Sequence, residues 1–170
     1  ALQKLDLSGC DYITDQGLAW LSRVNDLRSL SLEFYNEGIT DRGLVYLGKL
    51  KELRELNLSA LSYSNITAKG VAHLSGLKKL VSLNISGNYI NNHGLSHIRH
   101  LRNLRKLELS RTDITDAGLA NLAGLRELRE LDLAATDLKG NGLRHLSSLS
   151  KLSYLNLWNT YVDDKGLFYI

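Results

Sequence analysis

One short motif returns seven times along the 170 residues, and it constrains the fold more than any other feature of the sequence. The motif is Leu-x-x-Leu-x-Leu, with Ile85 at the last position of the fourth copy. Its first leucines lie 24 to 27 residues apart, at positions 2, 27, 53, 80, 104, 128 and 152. A period of this length is typical of solenoids, in which each repeat contacts only its neighbours. We therefore expect a single domain of seven repeats over residues 1–170.

Each repeat also carries an aliphatic residue and, four residues later, a glycine. The alternation in Leu-x-Leu favours a short strand, whereas the spacing of apolar residues after the glycine favours one face of a helix. A single unit of this kind cannot bury its apolar side, so the units must stack. The sequence predicts an α/β fold: a right-handed solenoid with a parallel β-sheet on its concave face and helices on its convex face. The glycines are Gly17, Gly43, Gly70, Gly94, Gly118, Gly142 and Gly166.

Polar residues mark where the helices and bends begin. Thr14, Thr40 and Thr115 are each followed by an aspartate, and we expect these pairs to cap the helices of their own repeats. Lys139 and Gly140 break this pattern, so the sixth helix is expected to have the poorest cap. Later repeats place a threonine in the bend after each strand, where a ladder of hydroxyl groups is predicted. These threonines are Thr112, Thr136 and Thr160.

The repeats resemble those of known leucine-rich repeat proteins. Residues 2–18 resemble the cysteine-containing repeat of F-box proteins, and residues 107–125 resemble 24-residue repeats of plant and bacterial intracellular proteins, including GALA-type effectors. The resemblance implies a leucine-rich repeat fold over the whole chain, and we expect a non-catalytic module that binds a protein partner. The alternative that it implies is the substrate-recognition region of an F-box-type ubiquitin ligase or of a bacterial effector injected into host cells.

Composition and charge exclude several classes of function. The chain has 44% apolar and 23% charged residues, which is typical of a globular protein. Its formal charge of +3 is too small for a nucleic-acid-binding footprint, and no segment indicates a signal peptide or a membrane span. We therefore expect neither nucleic acid nor membrane as a partner. The single cysteine, Cys10, cannot form an internal disulfide, which favours the cytoplasm.

No group of residues indicates catalysis, so we expect no enzyme activity and no cofactor. His93, His97 and His100 have a spacing that places them on one helix stripe, where they could in principle hold a metal. However, a column of flat or polar residues recurs three residues after each glycine and includes His97, so stacking along the outer helices explains this histidine without a metal. The column is Trp20, Tyr46, His73, His97, Asn121, His145 and Tyr169.

A partner site is expected on the open face of the sheet and on the loops beside it. The central column of that face contains no cation, which favours a protein partner over nucleic acid. The alternative is that Arg and Glu residues merely pair across adjacent strands. The central column reads Asp6, Ser31, Asn57, Asn84, Glu108, Asp132 and Asn156.

Two groups of aromatic residues add anchors to this surface, because tyrosine and tryptophan dominate binding energy on a rigid support. One group lies on the loops after the second to fourth strands, with loop packing as the alternative. The other lies on the last repeat, where the rings could instead cover a neighbouring repeat of a longer array. Both ends are expected to expose apolar edges that favour end-to-end association. The predicted partner-binding residues are Phe34, Tyr35, Tyr63, Tyr89, Asn57, Asn84, Glu108, Asp132, Tyr154 and Trp158.

Overall fold

The computed structural model describes residues 1–33, 38–61 and 65–170, and it confirms the seven-repeat arrangement. The central Leu-x-x-Leu-x-Leu residues form strands of three residues each, and these strands lie in one parallel sheet in chain order. The strands are β1 (Lys4–Asp6), β2 (Ser29–Ser31), β3 (Glu55–Asn57), β4 (Ser82–Asn84), β5 (Lys106–Glu108), β6 (Glu130–Asp132) and β7 (Tyr154–Asn156).

Equivalent residues of successive repeats lie side by side in the sheet. Leu107, for example, pairs with Leu83 on one side and with Leu131 on the other. These central leucines point into the core, whereas the residues before and after them lie on the face of the sheet that the helices do not cover. We call that surface the open face. It holds the columns of polar residues that the repeat predicts.

Helical segments cover the other side of the sheet. The residue that follows each glycine is fully buried in the first six repeats, as in Leu18, Leu95 and Leu119. The fifth and sixth repeats differ from the prediction in one respect, since their helices are 3-10 rather than α. The α-helices are α1 (Asp15–Leu21), α2 (Asp41–Leu47), α3 (Ala68–Ala72), α4 (Asn92–Ile98) and α5 (Asp164–Leu167), and the 3-10 helices are His73–Gly76, Asp116–Leu122 and Asn141–Leu146.

The first acidic residue of a helix caps the next repeat and not its own. The carboxylate of Asp41 accepts hydrogen bonds from the backbone N–H groups of Thr67 and Gly70, at 2.7 and 2.9 Å. Asp116 likewise accepts from the N–H groups of Lys139, Gly140 and Gly142. The sixth helix therefore has no cap of its own, but the preceding repeat satisfies its N–H groups.

Thr115 also departs from the prediction. Its side chain makes no cap bond to its own helix, because the hydroxyl accepts from the Asn92 side-chain amide at 2.8 Å. In contrast, Thr14 and Thr40 accept from a backbone N–H of their own helices, as expected. Three helices of the described residues lack a side-chain cap, and all three are 3-10: His73–Gly76, Asp116–Leu122 and Asn141–Leu146.

The threonines in the bends after β5 and β6 bond within their own repeats. Thr112 donates to the carbonyl of Leu109 at 2.6 Å, and Thr136 donates to the carbonyl of Leu133 at 2.7 Å. Each threonine hydroxyl thus satisfies a backbone carbonyl in its own bend, and these bonds do not link successive threonines into the ladder that the repeat allows. None of the helices in the described part of the chain combines the length and the hydropathy that crossing a membrane requires.

Candidate partner-binding face

Most residues in the central column of the open face also hold the bend that follows their strand. In five repeats an aspartate or asparagine accepts, through Oδ1, the backbone N–H two residues later, at 2.9 to 3.0 Å. This is the Asx-turn, a local structural role that the sequence analysis missed. The signal was present in the regular return of Asp or Asn at this position. The five residues are Asp6, Asn57, Asn84, Asp132 and Asn156.

Glu108 has a longer side chain and enters an ion pair instead. The Lys106 ammonium lies 3.1 Å from the Glu108 carboxylate and 3.9 Å from that of Glu130. The hydrogen bond to Glu108, together with the nearby charges of Glu130 and Asp132, raises the pKa of Lys106 above its ordinary value against the opposing effect of partial burial. Cross-strand pairing thus involves a lysine here. Among the described residues, no arginine lies within 4.0 Å of a carboxylate, so the alternative of Arg–Glu pairing is not what the salt bridges show.

The last three strands bring carboxylates and a tyrosine together around a shallow depression. Glu130 of β6 lies directly opposite Tyr154 of β7, and Tyr154 is 54% exposed. The depression has a volume of about 350 Å³. We call its polar lining the acidic patch, which consists of Lys106, Glu108, Glu130, Asp132 and Tyr154.

A second depression continues the acidic patch toward the ends of the strands. It shares Glu108 and Asp132 with the patch and has a volume of about 300 Å³. Trp158, which is 67% exposed, and Arg111 also line it. The two depressions together present two aromatic side chains, Tyr154 and Trp158, and four carboxylates, with Glu33 as the fourth.

The structure therefore gathers some of the predicted site residues and leaves others apart. Glu108, Asp132, Tyr154 and Trp158 line the two depressions, and Asn84 lies at the edge of the second. Asn57 lines a third depression over β1 to β5, which shares Lys106 and Glu108 with the acidic patch and Asn84 with the second depression. Tyr89 is 57% exposed but lines neither depression, and its backbone pairs with Thr67. Phe34, Tyr35 and Tyr63 lie outside the described residues.

The sequence analysis left Lys106 and Glu130 out of the predicted site. Both occupy the column one leucine earlier than the central column, and they face each other on neighbouring strands. The signal that could have found them is the opposite charge at equivalent positions of consecutive repeats. Because Lys106 already pairs with Glu108, the acidic patch retains an excess of two carboxylates over cations.

The histidines on the outer face form a ring contact. The rings of His93 and His97 lie 4.6 Å apart in an edge-to-face arrangement, and His100 accepts from Arg99 instead. Burial, with a smaller effect of His93, lowers the pKa of His97 below its ordinary value. In the described ranges, no three His, Cys, Asp or Glu side chains lie close enough to hold a metal ion.

The aromatic column of the outer helices does not form the expected stack. Within the described part of the chain, the ring contacts are His93 with His97 and Phe168 with Tyr169. Tyr46, a member of the column, instead lies under the Lys49 ammonium, 5.2 Å from the ring centre. Trp20 is 63% exposed, so this outer surface carries a tryptophan comparable in exposure to Trp158.

Comparisons with known proteins agree with the repeat architecture. A family model described as leucine-rich repeat matches residues 80–138, and a second model with the same description matches residues 2–22. No curated protein matches the chain.

Solved structures show the same fold. An internalin C2 from Listeria monocytogenes aligns with a TM-score of 0.70 at 22% identity, over 95% of this chain and 73% of that chain. An internalin from the same organism, internalin F, aligns with a TM-score of 0.66 at 21% identity, over 99% of this chain and 58% of that one. At this level of identity the similarity concerns the fold.

Proposed function

Because the chain is a leucine-rich repeat protein, we propose that it is a non-catalytic module that binds a protein partner through the open face of its last three repeats. The observation that carries the proposal is the position of Tyr154 and Trp158. Both rings are more than half exposed on strand and turn positions that the sheet holds in register. Rigidly held aromatic side chains are the residues on which protein interfaces most often depend.

The chemistry of the same face favours a protein over other partners. A nucleic acid would bring phosphates against Glu108, Glu130 and Asp132, which carry the same sign of charge. The lining of the two depressions includes Tyr154, Trp158 and Arg111, which belong to residue types enriched in protein interfaces, and its charged groups can complement a protein surface of opposite charge. Beneath this surface, the side chains of Asn84 and Asp132 accept backbone N–H groups and so hold the turns after their strands in place.

Capture of partners with a pair of tryptophan variants tests the proposal. Trp158→Ala removes the exposed ring on the open face, and Trp20→Ala removes a similarly exposed ring on helix α1. Proteins captured from a lysate by the unmodified chain are expected to be lost with Trp158→Ala and retained with Trp20→Ala, as quantified by mass spectrometry. Removal of an interface anchor costs about 2 kcal/mol or more, which is at least about a thirtyfold loss of affinity. Capture unaffected by Trp158→Ala and by Tyr154→Ala, with both variants folded, would contradict the proposal.

More specific roles stay predictions. The matched family models describe the repeat, which is common to proteins of many functions, and not an F-box. Only the sequence patterns described above therefore support four further predictions. These are substrate recognition within an F-box-type ligase, delivery as an effector, a cytoplasmic location and end-to-end association.

A further inference from the structure

Building on the proposed function, we propose that the acidic patch selects a basic protein segment. An arginine or lysine side chain of the partner lies beside the ring of Tyr154 and between the carboxylates of Glu130 and Asp132. The aromatic ring and the two acidic groups together provide the chemistry that recognises a cation.

The register of the sheet places these three groups within reach of one cation. Glu130 and Tyr154 are direct partners on β6 and β7, and neighbouring strands lie about 4.8 Å apart. Glu130 and Asp132 lie on the same face of β6, separated by two residues or about 7 Å. A guanidinium or ammonium group between the two carboxylates can therefore also contact the face of the tyrosine ring.

Lys106 shows that this row of carboxylates already holds one cation. Its ammonium is seated between Glu108 and Glu130, at 3.1 and 3.9 Å. Asp132 uses Oδ1 to accept the N–H of Ala134, and no cation in the described part of the chain lies within 4.0 Å of its carboxylate. A second cation can therefore bind on the β7 side of these carboxylates, next to Tyr154.

The charges of the central column favour the last strands of the sheet for a basic segment. In β2, β3 and β4 the position equivalent to Asp132 is uncharged, as Ser31, Asn57 and Asn84. The edge at which β5 and β6 begin carries Arg105 and Arg129, which repel a basic segment. Arg111, in the turn after β5, also lines the second depression, so a basic partner is directed toward β6 and β7, where Tyr154 and Trp158 add apolar contact.

Short peptides of defined charge provide the probe. The 170-residue chain, labelled with ¹⁵N, is titrated with the acetylated and amidated peptide Ala-Arg-Ala-Arg-Ala and with the versions that carry Lys, Gln or Glu in place of Arg. The Arg and Lys peptides are expected to shift the backbone amide signals of residues 130–134 and 154–158. The Gln and Glu peptides are expected to leave them unchanged.

A double variant removes the two charges without changing the shape of the site. Asp132→Asn keeps the Asx-turn, since Asn84 and Asn156 close the same turn in their own repeats, and it is combined with Glu130→Gln. Loss of two exposed ionic contacts is expected to weaken binding of the Arg peptide about tenfold. The control combines Asp113→Asn with Asp137→Asn, which changes net charge equally at two exposed loop positions and should leave binding unchanged.

The outcomes separate this inference from the proposed function. Equal binding of the Arg and Glu peptides, shifts mapped outside the patch, or unaltered binding by the folded Glu130→Gln, Asp132→Asn variant would overturn the inference. If partner capture still depends on Trp158 in that case, the protein-binding function stands with a partner of different chemistry. If capture is independent of Trp158 and Tyr154 but the Arg peptide binds at the patch, the proposed function fails on its own.

Discussion

Three residues with side chains adopt left-handed backbone conformations in the turns after β5, β6 and β7. Their φ angles are 55° for Arg111, 53° for Ala135 and 56° for Asn159. In the first and fourth repeats the same turn position is occupied by Gly9 and Gly87, with φ angles of 74° and 72°. A left-handed conformation costs a residue with a Cβ atom roughly 1–2 kcal/mol relative to the right-handed one. The later repeats thus keep this turn at some expense in stability.

Replacing Ala135 by glycine is expected to stabilise the protein. Ala135→Gly relieves the left-handed strain and keeps the backbone hydrogen bond to the carbonyl of Trp158, so the free energy of unfolding should rise by about 1 kcal/mol. The neighbouring Ala134→Gly is the control, because Ala134 is buried and has no positive φ, and it should destabilise. Urea unfolding measures both changes, and a less stable Ala135→Gly protein would contradict the strain argument.

Two exposed ion pairs between repeats should make stability depend on acid pH. The hydrogen bond from Lys151 holds the pKa of Glu127 below its ordinary value of 4.5, and Lys79 does the same to Glu52. A carboxyl group whose pKa is lower in the folded state stabilises that state above the ordinary pKa, and this contribution is lost as pH falls through the folded value. Stability should therefore decline below pH 4.5.

The matching experiment is urea unfolding between neutral pH and pH 3, with NMR titration of the Glu127 carboxyl. Glu52→Gln combined with Glu127→Gln should make the decline shallower, and Lys151→Met should move the Glu127 pKa back toward 4.5. The effect is expected to be small because the charged side chains are 38% to 52% exposed. An identical pH slope for the double variant would show that these pairs do not contribute.

At the scale of the secondary-structure elements, the helices are joined to one another by acidic residues at their first turns. Asp116 accepts three backbone N–H groups of the next repeat, and Asp41 accepts two. The close approach also explains the glycine in the second, third and sixth repeats, since a Cβ atom on Gly142 would lie only 2.5 Å from the carbonyl oxygen of Asp116, and one on Gly43 or Gly70 would meet the carboxylate of Asp15 or Asp41. In these three repeats the glycine makes room for the aspartate of the preceding repeat, which accepts the backbone N–H groups at the start of the helix.

Asp116→Ala is expected to destabilise the protein by about 2 kcal/mol, because it leaves three N–H groups at the start of the sixth helix without their charged acceptor. Hydrogen exchange should accelerate at residues 139–146. Asp164→Ala is a matched control, because Asp164 holds the same position in the seventh repeat and its carboxylate accepts no hydrogen bond within the described residues. Equal losses of stability in the two variants would argue against capping between repeats.

The elements differ in how much of them the sequence could predict. All seven strands follow from the spacing of leucines, because burial of one side chain in two is visible in the pattern itself. The capping partners could not be predicted, since the bond from Asp116 to Gly142 depends on the distance between repeats. The sequence also did not predict that Asp116–Leu122 is a 3-10 helix and not an α-helix, because both types of helix bury residues at intervals of three to four.

For the molecule as a whole, regular stacking separates two surfaces of different character. The outer helices carry Trp20 and the paired histidines, whereas the open face carries the acidic patch and Trp158. The sequence predicted which residues share the open face, because the register between strands follows directly from the repeat. It did not predict that Lys106 and Glu130 complete the patch, since side-chain pairing depends on charge and reach and not on periodicity.

Hydroxyl-radical footprinting of the chain with and without a captured partner tests most directly whether the open face is the binding surface. Oxidation of an aromatic ring depends on its access to solvent, so the two tryptophans report on opposite sides of the molecule. Tyr154 and Trp158 should be protected in the complex, whereas Trp20 and Tyr12, which are exposed elsewhere, should be oxidised as in the free chain. Protection of Trp20 with Tyr154 and Trp158 unchanged would contradict the account.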